Sequence, residues 1–101
     1  FENELETYIG NPNYKAMCVN TGTSALHLAI ESVTNAGDEV LVPSFTFVAT
    51  YQAITAAGCK PISCEINDDT LLIDLNDAER RLTNKTKVIL PVLYASNTRN
   101  L

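Results

Sequence analysis

The chain has 101 residues, 46% of them hydrophobic, and a formal charge of −5 from 12 acidic and 7 basic side chains. That length suits one domain with a modest core, and that composition excludes a generally disordered chain. The acidic balance excludes a nucleic-acid groove, which needs clustered Lys and Arg, and no apolar run approaches the roughly 20 residues of a bilayer-spanning helix, so neither nucleic acid nor membrane is expected as a partner.

The first residues, Phe1-Glu2-Asn3-Glu4-Leu5-Glu6, are acidic and polar, unlike a signal peptide. They lack an initiating Met, so the chain is expected to begin inside a longer product. Phe1, Leu5 and Tyr8 share one face of a helix over 1–9, which Gly10-Asn11-Pro12-Asn13 stops. Ala16-Met17-Cys18-Val19 is too short and apolar for a helix and reads as a buried strand. Thr21-Gly22-Thr23-Ser24 turns the chain into a helix over 23–34 with Leu26, Ala29, Ile30 and Val33 at helical spacing, closed by Asn35-Ala36-Gly37-Asp38. Glu39 to Pro43 reads as a second strand, ended by a proline that cannot donate to a ladder. A helix over about 46–57 follows, with Gly58 as its stop.

Pro61 to Ile66 alternates as a strand does, and Asn67-Asp68-Asp69-Thr70 turns. Asp74 caps a short helix whose apolar face is Leu75, Ala78 and Leu82, with Asp77 at its positive end. Thr86 to Leu93 is a last apolar strand. Four strands separated by helices predict an α/β fold with a mainly parallel sheet. Its apolar edges would stay uncovered unless something pairs with them, which predicts a part of a larger sheet and self-association. Cys18, Cys59 and Cys64 show no metal-type pairing, so no metal site is expected; they read as reduced, buried thiols of a cytoplasmic protein. In that compartment the triplet Asn84-Lys85-Thr86 carries no glycosylation meaning.

Two stretches can carry chemistry. Asn20 to Leu26 joins a strand to a helix, where free N–H groups and a partial positive charge make a phosphate cup; Gly22 admits a ligand to the backbone, and Thr23 and Ser24 add hydroxyls. Plain N-capping by Thr21, Thr23 or Ser24 explains the same residues without a ligand. The P-loop and dinucleotide patterns are both absent. Pro43 to Thr50 lies at the carboxyl end of a strand, where parallel sheets bind ligands. Its Phe45 and Phe47 are candidates for a ring that lies on a planar ligand, or for core residues.

Several segments together resemble the DegT/StrS family of pyridoxal-phosphate sugar aminotransferases. They are Asn20-Thr21-Gly22-Thr23-Ser24-Ala25-Leu26-His27-Leu28-Ala29, Gly37-Asp38-Glu39-Val40 and Pro43-Ser44-Phe45-Thr46-Phe47-Val48-Ala49-Thr50, continued by Ala57 to Pro61, Thr83 to Ile89 and Pro91-Val92-Leu93-Tyr94-Ala95. The resemblance implies that residues 1–101 are an incomplete N-terminal part of a fold type I, aspartate-aminotransferase-like large domain. It implies pyridoxal phosphate as cofactor, with its phosphate at Gly22 and Thr23, less firmly at Ser24, and its ring under Phe47. It implies dimers that act on nucleotide-linked keto sugars with glutamate or glutamine as amino donor.

The chain also departs from the family. Leu93 stands where the family commonly has His, and Ser96 where it commonly has Gly, which strains the turn if that position needs positive φ. Transamination needs a lysine that bonds the cofactor and an acid that keeps the pyridine nitrogen protonated. Neither is matched here, so no catalytic residue is expected in this chain and no activity from it alone. Lys15, Lys60, Lys85 and Lys87 read as surface charges, and Asp38, Asp68, Asp69 and Asp74 as turn and cap residues. His27 reads as a helical neighbour of Glu31. Two other readings stay open: a non-catalytic, self-associating α/β remnant, and an unrelated nucleotide- or phosphate-binding α/β domain.

Overall fold

The computed structural model describes residues 1–99; Asn100 and Leu101, the last of the expected domain 1–101, lie outside the described residues. The order is α1 (Glu2–Ile9), α2 (Gly22–Glu31), β1 (Glu39–Pro43), α3 (Val48–Ala56), β2 (Lys60–Cys64), α4 (Leu75–Arg80), β3 (Thr86–Ile89) and a single 3-10 turn (Tyr94–Ser96). The three strands form one parallel sheet in the order β2-β1-β3. β1 is central because Val40, Leu41 and Val42 are apolar on both faces, as a strand covered on both sides must be.

Alternation along β1 divides the core. Val40 and Val42 turn to one face, where α2 and α3 bring Ile30, Ala53, Ile54 and Cys59. Leu41 turns to the other, where Cys64, Ile73 and Ala78 meet it. The chain reverses its direction across the sheet after β2, and right-handed crossovers then put α3 and α4 on opposite faces.

α2 and α3 both run against the strands. The end of α2 is tied to the start of β2, where the Cys59 thiol donates to Thr34 Oγ1 at 3.2 Å and Gly37 N–H to the Gly58 carbonyl at 2.9 Å. α3 begins just past the carboxyl end of β1. Both helix N-termini therefore point to the carboxyl edge of the sheet, and the two helices pack on each other.

The parallel α/β expectation holds, but the strand expected at Ala16–Val19 does not form, so the sheet has three strands rather than four. No strand lies beside that segment among the described residues. Its backbone is met by carboxylates of α1 instead: Ala16 N–H donates to Glu6 Oε1 at 3.0 Å and Cys18 N–H to Glu2 Oε1 at 2.7 Å. Cys18 is accordingly exposed, contrary to expectation, whereas Cys59 and Cys64 are buried. The last strand stops at Ile89, short of the expected Leu93, because β1, its partner, ends at Pro43. Leu75 and Leu82, expected to be buried beside Ala78, stay half-exposed because, among the described residues, no further element covers that side of β3.

Asp77 is a feature the helix-end reading understated. Asp74 caps α4 by accepting from the N–H groups of Asn76 and Asp77. The Asp77 side chain, 7% exposed, then accepts from Arg81 Nε at 2.6 Å, Glu65 N–H at 2.8 Å and Arg80 Nη2 at 3.1 Å, tying α4 to the end of β2. The Arg81 guanidinium first, and the Glu65 N–H second, hold its carboxyl at about 2, below the ordinary 3.8. A depressed carboxyl contributes stability that is complete above the unfolded-state value and is lost as pH falls through the folded value. Asp77→Asn is thus expected to be less stable than the parent by a constant margin above about pH 4, and that margin should close as the pH approaches about 2. Urea midpoints across acid pH would read it; a margin indifferent to pH would mean that the charge is not what holds α4.

Candidate functional site

The carboxyl edge of the sheet collects the residues that the sequence singled out. At the start of α2, Thr21 has extended backbone (φ −147, ψ 157) and its Oγ1 accepts from Ser24 N–H at 3.0 Å. The Thr21 hydroxyl donates to Ser24 Oγ at 2.9 Å, and the Ser24 hydroxyl donates on to Asn20 Oδ1 at 3.0 Å. The capping reading is therefore correct for Thr21, and both donors of Ser24 are spent, the N–H on Thr21 and the hydroxyl on Asn20. Among the described residues, the N–H groups of Gly22 and Thr23 and the Thr23 hydroxyl have no partner. A methyl placed on Gly22 would meet nothing within 4 Å. Three unspent donors beside open space, two of them N–H groups at a helix N-terminus, fit a phosphate group.

Phe47 is the N-cap of α3 (φ −70, ψ 147) and the residue is 77% exposed. Phe45 is 44% exposed, so neither phenylalanine is a core residue. The segment between them is held by the Thr46 and Thr50 hydroxyls, 2.7 Å apart. Phe45, Thr46, Phe47, Val92 and Tyr94 line a cleft of about 370 Å³, formed by the loops after the adjacent strands β1 and β3. An exposed flat ring bordering an apolar cleft fits the face of a heteroaromatic ring. The Gly22–Ser24 turn belongs to the same edge of the sheet but does not line this cleft.

Sequence reasoning missed the part that Tyr94 plays. Its ring lies 5.1 Å from that of Phe45, tilted by 37°. The available signal was an aromatic a few residues past a strand's carboxyl end. The turn that carries it is the one expected to strain: Ala95 and Ser96 adopt φ 52 and φ 60. The positive φ at Ser96 is the conformation for which glycine is the usual residue. The expectations for the lysines and for His27 hold. Lys15, Lys60, Lys85 and Lys87 are exposed, Lys15 pairing with Glu6 at 3.4 Å. His27 Nε2 lies 3.3 Å from Glu31 Oε2. Among the described residues no helix is long and apolar enough to cross a membrane.

Solved structures identify the architecture as part of a fold type I pyridoxal-phosphate aminotransferase. The Streptococcus pneumoniae protein Spr1654, solved in PMP and PLP forms, superposes with a TM-score of 0.84 and, in the PMP form, 38% identity, over 98% of this chain and 25% of that one. The chain belongs to the DegT/DnrJ/EryC1/StrS aminotransferase family, whose profile matches residues 1–101. GDP-perosamine synthase of Vibrio cholerae is 37% identical over 93 residues, 91% of this chain and 25% of that protein. A dTDP-4-dehydro-2,3,6-trideoxy-D-glucose 4-aminotransferase of Saccharopolyspora spinosa is 34% identical over 98 residues, 96% of this chain and 26% of that protein. The chain thus spans about a quarter of the length of the relatives it matches.

Proposed function

We propose that residues 1–101 are the N-terminal, cofactor-cradling part of the large domain of an aminotransferase that converts nucleotide-linked keto sugars to amino sugars with glutamate or glutamine as donor. The two free N–H groups at the start of α2, beside open space, are the observation that carries this reading. Gly22 and Thr23 hold the cofactor phosphate, and Ser24 joins them by exchanging one of its capping bonds. Phe47 lies on the pyridine ring and excludes water from that face. When bound, pyridoxal phosphate supplies an aldehyde to bond an amine and a ring to accept its electrons. None of Lys15, Lys60, Lys85 and Lys87 is the lysine that bonds it, and the chain alone does not transaminate.

Assembly and compartment follow the same reading. Leu75, Leu82 and Ile89 border an apolar groove of about 360 Å³ between α4 and β3, a surface that favours association, in keeping with a dimeric parent. The buried, unpaired Cys59 and Cys64 suit a reducing cytoplasm. A monomer at every concentration in sedimentation would count against the assembly.

The test uses pyridoxine 5′-phosphate, which has the ring and phosphate but no aldehyde, so that binding is non-covalent. Its titration should quench tyrosine fluorescence saturably and perturb the amide resonances of Gly22 and Thr23. Ordinary pyridoxal phosphate followed by borohydride should label no single lysine preferentially. Pyridoxine 5′-phosphate that leaves both amides unmoved would sink the cradle, and one specific lysine adduct would overturn the absence of the bonding lysine.

A further inference from the structure

We propose that Tyr94 is a positioning residue for Phe47, acting through Phe45. This rests on the reading that Phe47 lies on the ligand ring. The segment 44–47 joins β1 to α3 and carries Phe47 at its end. It is fastened at one end by Ser44 N–H, which donates to the Cys64 carbonyl at 2.7 Å, and at the other by the Thr46–Thr50 hydroxyl pair. Between these points its tertiary restraint is the Phe45 ring against Tyr94. Phe47, mostly exposed, is in no comparable ring contact among the described residues, so the segment sets where its ring lies.

The other half of the clamp is held on purpose-built backbone. Two consecutive non-glycine residues, Ala95 and Ser96, sit in the left-handed region, which side-chain-bearing residues occupy at a cost and only when their surroundings impose it. The imposing contacts are short: Ser96 N–H to the Leu93 carbonyl and Asn97 N–H to the Tyr94 carbonyl, both 3.0 Å. Asn97 Nδ2 donates to the Thr70 carbonyl at 3.2 Å, anchoring the turn to the loop before α4. Strain at Ala95 and Ser96 thus aims the Tyr94 ring at Phe45, and Tyr94 walls one cleft together with Phe45, Thr46 and Phe47. The Tyr94 hydroxyl has no partner among the described residues, so the ring face is the working part.

Four variants of the chain test this: Tyr94→Phe, Tyr94→Leu, Phe45→Leu and the double Leu variant. The ligand-free readout is the Phe47 ring resonances. Either single Leu change should draw them toward the averaged positions of a free phenylalanine, while Tyr94→Phe keeps the parental positions. The ligand readout is pyridoxine 5′-phosphate affinity, which should fall about two- to tenfold for each Leu variant, the range an aromatic pair supports. The double variant should be no worse than either single one, inorganic phosphate should bind all four alike, and Tyr94→Phe should match the parent. Unmoved Phe47 resonances in both single Leu variants would overturn the proposal. So would additive losses, a Tyr94→Phe as impaired as Tyr94→Leu, or unfolding by either Leu change, since a loop clamp does not hold the core. If the parent binds no pyridoxine 5′-phosphate, the cofactor reading fails on its own, and the Phe47 resonances still decide the clamp.

Discussion

Ile54→Ala is expected to lower the free energy of unfolding by about 2–5 kcal/mol. Ile54 is fully enclosed on α3, among Ile30, Val40, Val42, Ala53 and Cys59. Removing its branched end forfeits the transfer energy of the lost carbons and leaves a cavity that the surroundings close only in part. β1 cannot move to fill it, because the strand is hydrogen-bonded on both edges. Set against a total of about 5–15 kcal/mol for a domain of ordinary stability, the loss is a large fraction. Leu82→Ala is the control. Leu82 is large and apolar as well, but half-exposed beside the open groove, so its truncation should cost less than about 1 kcal/mol. Denaturant melts of the two variants measure both numbers. A small loss at Ile54, or a large one at Leu82, would mean that the principal core lies on the α4 face rather than under α2 and α3.

Gly22→Ala is expected to separate fold from ligand. Gly22 opens α2, its φ is not positive, and an added methyl meets nothing within 4 Å. The fold therefore makes no demand for glycine at this point, and alanine, the better helix former, should leave stability equal or slightly raised. A bound phosphate makes the opposite demand. On the proposed reading it would approach the Gly22 and Thr23 N–H groups closely, and a methyl on Gly22 would crowd that approach. Affinity for pyridoxine 5′-phosphate should drop about tenfold or more, a cost of about 1.4 kcal/mol or more. Equal stability with equal affinity would remove the phosphate role from this turn. Lower stability would return Gly22 to a structural role instead. Gly58 makes the contrast: its φ is 78, and its position against Ala36 is set by the fold itself.

Much of this was legible along the chain. β1, the three helices that flank the sheet and the caps at Thr21 and Asp74 follow from local rules, because apolar spacing and side-chain caps act over a few residues. The ordered run of family segments likewise identified the ancestry; the roles of Gly22, Thr23 and Phe47 are what that resemblance implies. Local rules failed where an answer depended on what lies alongside. Ala16 to Val19 is as apolar as a strand requires, yet a strand exists only when another backbone pairs with it, and here Glu2 and Glu6 take that place. The same dependence left Leu75, at the start of α4, and Leu82, just past its end, half-exposed where the apolar pattern predicted burial.

The site divides the same way. The residue types for a phosphate cup and a flat ring stand in the sequence by themselves, since both belong to short turns next to predicted elements. Which donors are already spent was decided only by the folded turn, where Ser24 gives its N–H to Thr21 and its hydroxyl to Asn20 while Gly22 and Thr23 keep theirs. The meeting of Phe45 with Tyr94 was decided only by the strand order β2-β1-β3, which sets the loops after β1 and β3 side by side. Asp77 meets Glu65 for a related reason: that contact is fixed by where α4 lands beside the end of β2, whereas its pairing with Arg81, four residues on, is one that spacing along the chain does encode.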